Sequence, residues 1–210
     1  PNPRFDAAGG CVTDNLTGLM WVASPTITHT TWQGALDYAN SLDLCGYQDW
    51  RLPNVNELLS LVNTGMNDTS VWLNSQGFGS LMPSLYWTSS TRADNVSYAW
   101  MVSLWSGSAT NGGKLVPTPH YALPVRGSTT GSTPVWRTGR ITCYDEAGTL
   151  RNCAGTGEDG EYQAGVAWPE PRFVVGSGAE ADCITDQLTD LMWLRTPNIT
   201  TTVTWQDALI

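Results

Sequence analysis

Gly46-Tyr47-Gln48-Asp49-Trp50-Arg51-Leu52-Pro53-Asn54 is the stretch on which the fold turns. A glycine, an acid, a tryptophan, an arginine and a proline stand close together between two segments with helical periodicity. The backbone must turn here while two large side chains take fixed places. Asp49 and Arg51 can pair with each other or with backbone groups. Trp50 can bury most of its ring, and Pro53 stops anything helical before Asn54 opens a new helix. Asp49, Trp50 and Arg51 therefore read as a structural keystone, not as chemistry.

Upstream of the keystone, Thr31 can cap a helix in which Trp32, Ala35, Leu36 and Ala39 recur at i, i+3, i+4 and i+7, a single apolar stripe. Downstream, Asn54 and Glu57 have the spacing of a capping box, Val55, Leu58, Leu61 and Val62 supply the stripe, and Gly65 ends the helix. Leu19 to Val22 reads as a short buried strand after the turn Asp14-Asn15-Leu16-Thr17-Gly18. Further strands are expected at Tyr86–Ser89, Tyr98–Trp105, Leu115–Val116 and Ala122–Arg126. Two early helices and a late antiparallel sheet predict a small, loop-rich α+β domain.

The chain begins and ends with the same text. Pro1-Asn2-Pro3-Arg4-Phe5 returns as Pro169-Glu170-Pro171-Arg172-Phe173, and Cys11 to Trp21 returns, 172 residues on, as Cys183 to Trp193. Thr31-Trp32-Gln33-Gly34-Ala35-Leu36 returns as Thr204-Trp205-Gln206-Asp207-Ala208-Leu209. The expected organisation is a first domain over 1–127, a connector over 128–168, and the start of a second, incomplete copy over 169–210. Both ends read as cut from something longer.

Composition removes several function classes. Of 210 residues, 41% are apolar and only 14% charged, with 11 tryptophans and a formal charge of -9. Lys114 is the only lysine and the basic residues are scattered singly, so no nucleic-acid partner is expected. No run has the length of a transmembrane helix, and no basic-then-apolar start marks a signal peptide.

The motifs Asp14 to Trp21, Gly46-Tyr47 with Asp49 to Asn54 and Glu57-Leu58, Tyr86-Trp87-Thr88-Ser89-Ser90, and Val125-Arg126-Gly127 resemble the Lcl C-terminal domain family. That family is found on bacterial secreted and surface proteins and is named after a collagen-like adhesin. The resemblance covers roughly residues 1 to 127 and again about 169 to the end. It implies a C-type-lectin-like fold, related to that of formylglycine-generating enzymes, and binding of sulfated polysaccharides during attachment. This chain departs in charge, since a molecule at -9 with one lysine is poorly matched to a polysulfated ligand.

Cysteine usage points to an exported protein. Cys143 and Cys153 enclose a short loop suited to a disulfide hairpin, which leaves Cys11 to pair with Cys45. Cys183 copies Cys11, and the copy of Cys45 falls just beyond residue 210. Five free thiols in a cytosolic protein is the opposing reading. Glu158, Asp159 and Glu161 stand on a glycine-rich loop and offer the hard oxygens that calcium takes; the opposing reading is a solvated acidic turn.

Enzymatic signals are thin. His29 and His120 lie in Thr- and Pro-rich loops, no serine sits in a nucleophile elbow, and no cysteine stands between residues 86 and 127, so no catalysis and no cofactor beyond calcium are expected. Alternation along Tyr98–Trp105 places Tyr98, Trp100, Val102 and Leu104 on a core face and Ala99, Met101, Ser103 and Trp105 on the other. Trp105 can stack on a sugar ring, with Asn95, Asn111, Lys114, His120 and Tyr121 bonding its hydroxyls, or it can pack under the Gly-rich loop after it. Two functions follow: a non-catalytic extracellular or cell-surface module for adhesion through a glycan, or a repeat that stacks on copies of itself in a fibre or sheath.

Overall fold

The computed structural model describes residues 1–25, 30–115, 120–196 and 204–208, which fall into two compact units, Pro1–Ala167 and Trp168–Ile210. The first unit opens with an antiparallel meander of β1 (Phe5–Ala8), β2 (Cys11–Asp14) and β3 (Met20–Val22), closed on its outer edge by β7 (Val125–Arg126). Ala8 faces Cys11 across Gly9-Gly10, and both glycines have positive φ, the two-residue hairpin geometry that other residues enter only at a cost. Asp14 fixes the next turn. Its carboxylate accepts from Arg4 at 3.1 and 2.9 Å, from the Leu16 amide at 3.0 Å and from the Thr17 hydroxyl at 3.0 Å.

The helix α1 (Trp32–Asn40) starts at the expected cap, with the Thr31 hydroxyl accepting from the Gly34 amide, and its four stripe residues are fully buried. The helix α2 (Val55–Leu59) carries the expected capping box between Asn54 and Glu57 but is shorter than its periodicity suggested, ending well before Gly65. A further helix, α3 (Thr69–Ser75), was not anticipated; the Asp68 side chain caps it through the Ser70 and Val71 amides. Its four-residue approach, Gly65-Met66-Asn67-Asp68, masks the cap signal among turn-forming residues.

The second sheet contains β4 (Leu85–Thr91), β5 (Tyr98–Ser103) and β6 (Ala109–Gly113) in that order, all antiparallel, with a bulge between Trp87 and Thr91. Strands β4 and β5 are covered on both faces, whereas no residue of β6 is buried. Tyr86, Val102 and Leu104 join Trp21, Leu58, Leu61 and Leu73 in one core cluster, while Trp87, Ala99 and Met101 join Trp32, Leu36 and Leu52 in another. The expected alternation of β5 is thereby corrected. Ala99 and Met101 are core residues, and Tyr98 and Trp100 are only partly buried, because a helix covers each face of the sheet and a two-sided strand carries no simple in-out pattern. Of the strand expected at 115–116, Leu115 lies in a turn and Val116 is outside the described residues, as is His29; the strand expected from Ala122 is confined to β7.

Of residues 128–168, read from sequence as a connector, 128–167 belong to the compact unit of the first domain. This arm carries the small hairpin β8 (Cys143–Tyr144) and β9 (Leu150–Arg151) and one turn of helix, α4 (Asp159–Tyr162). The Gly131 and Thr133 amides donate to Thr17 and Leu16 carbonyls, and a Cβ at Gly131 would meet the Leu16 oxygen at 2.3 Å, so only glycine fits that crossing. Asn54 and Asn56 amides donate to the carbonyls of Ala164 and Trp136. Disulfides join Cys11 to Cys45 and Cys143 to Cys153.

The second unit is a three-stranded meander of β10 (Phe173–Val175), β11 (Cys183–Asp186) and β12 (Leu191–Leu194), followed by α5 (Trp205–Ala208). It repeats the strand register and the aspartate turn of the first unit's opening, but β10 and β11 are joined by a longer connection with a 3-10 turn at Gly178–Glu180 where β1 and β2 have Gly9-Gly10. Phe173 faces Asp186 as Phe5 faces Asp14, and Asp186 accepts from Arg172, the Leu188 amide and Thr189. Those bonds, Arg172 first, hold the Asp186 carboxyl down at about 2. Among the described residues no helix is long and apolar enough to cross a membrane.

Candidate functional site

The keystone is built as its residue types require. Trp50 is buried in a small cluster with Cys11, Val22 and the partly buried Leu44 and Cys45, its indole N–H donating to the Leu44 carbonyl at 3.2 Å. Arg51 and Asp49 do not pair with each other. Arg51 forms a two-pronged bond to Glu57 at 2.7 and 2.6 Å, both side chains out of solvent. Burial opposes the Arg51 charge, and the Glu57 carboxylate beside it more than compensates, so the guanidinium is held above its usual range. Asp49 is instead gripped by Arg126 at 2.6 and 3.0 Å, which lowers its carboxyl, and the Arg126 guanidinium lies 3.5 Å over the Tyr47 ring. The backbones of Arg51 and Val125 exchange two hydrogen bonds of 2.9 Å, tying the keystone to the strand that closes the first sheet.

One side of this keystone faces an open cleft of about 520 Å³. One wall is Asp49, Arg51 and Gly127; the rest comes from the arm, as Ser128, Arg137 and residues 162–165. Tyr162 is half-exposed, with its ring 5.7 Å from the Arg51 guanidinium, and its phenol is pushed up by burial and by Glu161. Gln163 takes a left-handed backbone that turns the chain along the rim, and Arg137 donates to the Gly165 carbonyl at 3.3 Å. The cleft thus presents one carboxylate, two guanidinium groups, an aromatic face and backbone carbonyls. Its volume lies within the range of small-molecule sites. Sequence reasoning missed it because most of its wall is in the arm; the two-residue run Val135-Trp136 was the available sign that the arm packs.

The residues expected to surround a sugar do not converge. Trp105 is exposed, at the tip of the β5–β6 hairpin, while Asn95 lies before β5 at its other end, on the order of 20 Å away for a six-residue strand. Asn95 accepts from the Ser97 amide and hydroxyl, and Asn111 faces Trp100 in the middle of the sheet. Lys114 is inside the protein: its ammonium sits 3.9 Å from the Trp32 ring centroid and donates to the Tyr144 and Asp145 carbonyls. Burial lowers it to about 8, against the pull of Glu158. His120 packs edge-on against Trp87, and Tyr121 lies on Tyr86.

The three arm carboxylates also point to separate partners. Asp159 accepts from Ser90 at 2.6 Å and Thr138 at 2.7 Å, Glu158 from Arg151, Thr91 and the Tyr144 amide, and Glu161 from the Gly155 and Gly157 amides. Burial raises the Asp159 carboxyl. Neither a solvated acidic turn nor a calcium loop describes them; Glu158 and Asp159 are the buried bolts of the arm. Among the described residues, no group of three or more His, Cys, Asp or Glu is placed to hold a metal ion.

Fold and cleft together define a disulfide-stapled, loop-rich α+β module with several small antiparallel sheets and a polar, open site. The profile of the Lcl C-terminal domain matches residues 10–126, and the chain belongs to that family. No match is found among curated proteins.

Proposed function

We propose that the first unit is a non-catalytic extracellular adhesion domain with a C-type-lectin-like fold, and that its cleft binds a glycan. The observation that carries this is the cleft itself, with a half-exposed Tyr162 ring beside an Asp49 carboxylate and the Arg137 guanidinium. A flat aromatic accepts the apolar face of a sugar, while a carboxylate and a guanidinium take and give hydrogen bonds to adjacent hydroxyls. One carboxylate is set against two guanidinium groups, an excess of a single positive charge, which suits neutral or weakly acidic sugars better than polysulfated ones. The two disulfides suit an oxidising compartment such as the cell exterior.

Screening the 210-residue chain on a glycan array, then titrating the best oligosaccharide against Asp49→Asn and Tyr162→Ala, tests this. Each variant should weaken binding at least tenfold, equivalent to about 1.4 kcal/mol, with unfolding unchanged to within a few degrees. Full binding in both variants, or no sugar bound at millimolar concentration, overturns the reading.

A second reading, that such domains occur in tandem and assemble, is favoured by one observation. Residues 169–208 copy the start of the domain in sequence and in hydrogen bonding yet expose its apolar residues.

A further inference from the structure

Four asparagines stand two residues before a serine or threonine with no proline between, the pattern of an N-glycosylation acceptor: Asn15-Leu16-Thr17, Asn67-Asp68-Thr69, Asn95-Val96-Ser97 and Asn198-Ile199-Thr200. The last lies outside the described residues. The other three differ in what the fold has done with the two groups that the chemistry needs, the amide nitrogen and the hydroxyl. The Asn15 amide nitrogen is already used, donating to the Pro3 carbonyl at 3.3 Å and to Asp6 at 2.7 Å, and the Thr17 hydroxyl is buried and donates to Asp14. Asn67 is exposed, but Thr69 is buried at the start of α3 and its hydroxyl oxygen accepts from the Asn63 amide at 3.3 Å.

Asn95 keeps both groups available. It is exposed in the turn between β4 and β5. The Ser97 hydroxyl donates to its side-chain oxygen at 2.8 Å and the Ser97 amide at 3.4 Å, and among the described residues nothing accepts from its amide nitrogen. Donors on an amide oxygen stabilise the negative charge that gathers there as the nitrogen loses a proton, so this geometry favours the nitrogen as a nucleophile. The turn is held from behind. The Tyr98 amide donates to the Asn95 carbonyl and the Lys114 amide to the Ser97 carbonyl, both at 3.0 Å, and a Cβ at Gly148 would come within 3.2 Å of Val96 and Ser97. The β8–β9 turn therefore lies against Val96 and Ser97 while Asn95 stays outside.

We propose that Asn95 is an attachment site for an N-linked glycan, transferred by a glycosyltransferase from a diphosphate-activated sugar. The step forms a bond from Asn95 Nδ2 to the anomeric carbon and breaks that carbon's bond to a phosphate oxygen. The diphosphate leaves with the bonding pair, one amide proton passes to a base of the transferring enzyme, and nothing is oxidised or reduced. This sugar is covalent and independent of any sugar bound in the cleft.

Two measurements test it. In protein purified from its native source, peptide mass mapping should find a glycan on the peptide that contains Asn95. In the folded, disulfide-intact 210-residue chain, incubated with UDP-glucose and a soluble asparagine glucosyltransferase, Asn95 should gain hexose faster than Asn15 by on the order of tenfold or more, since the two hydrogen bonds of Asn15 must first open. Once proteolysis has released the peptides, Asn15 should react as well, which shows that the fold protects it. Ser97→Ala should abolish transfer to Asn95 and Ser97→Thr should keep it, with unchanged circular dichroism in both. A bare Asn95 in the native-source protein, equal rates at Asn95 and Asn15 in the folded chain, or transfer that survives Ser97→Ala overturns the assignment.

Discussion

Replacing Glu57 by Gln isolates the energetics of the keystone. In the folded chain both Glu57 oxygens are used: one accepts from Arg51 at 2.6 Å, the other from Arg51 at 2.7 Å and from the Asn54 amide at 2.9 Å. Glutamine keeps the shape but turns one oxygen into an amide that faces N–H donors. It also leaves a buried guanidinium without its counter-charge. Breaking a buried pair in this way costs about 3–5 kcal/mol. Part of any loss from the capping box is included, since the same oxygen serves both roles. With a urea dependence of about 2 kcal/mol per molar, the midpoint should fall by roughly 1.5–2.5 M. The assay is equilibrium unfolding followed by tryptophan fluorescence, with Cys183 alkylated beforehand so that disulfides cannot exchange. Arg51→Met combined with Glu57→Leu removes both charges and should recover to within about 2 kcal/mol of the parent. A Glu57→Gln protein within about 1 kcal/mol of the parent, or a double variant no more stable than the single, would refute the view that this pair holds the keystone.

Non-reducing peptide mapping should recover Cys11 with Cys45 and Cys143 with Cys153, with Cys183 alone alkylated; labelling of any of the other four without reductant contradicts the pairing. Lys114 makes stability depend on pH. Its folded-state value of about 8 lies below its ordinary 10.5, so between those values the unfolded chain binds more protons and stability rises with pH. The unfolding free energy of the parent relative to Lys114→Met should therefore increase from pH 7.5 to pH 10; a flat or falling difference would mean that the buried ammonium is not strained.

The parts of the fold that were legible in the sequence are those where one local rule acts alone. Thr31 and Asn54 announced their helices because a capping side chain answers to neighbours three residues away, and the stripe of α1 is buried on a single face. The alternation of β5 misled because the strand is covered on both sides, so Ala99 and Met101 serve one core cluster and Val102 the other, and the period-two signal disappeared. Lys114 misled for a related reason. A lone lysine in a polar loop looks solvated, and the carbonyls of residues 144 and 145, thirty positions on, together with the Trp32 ring, make its burial tolerable. The cleft was invisible because its walls are distant in sequence and meet only when the arm has docked, whereas Asp49 and Arg51, close to each other along the chain, turned out to serve different partners.

The arm's role as one wall of that cleft bears on how such domains diverge. The family profile ends at residue 126, while Arg137 and Tyr162 lie beyond it. Of the residues that line the cleft, Asp49 and Arg51 fall within the profile and the rest follow it, most of them on an arm bolted on through Ser90, Thr91 and two asparagine amides. Exchanging that wall therefore alters the fold as well as the recognition surface, because the same arm places Val135 in the core and holds the buried Lys114.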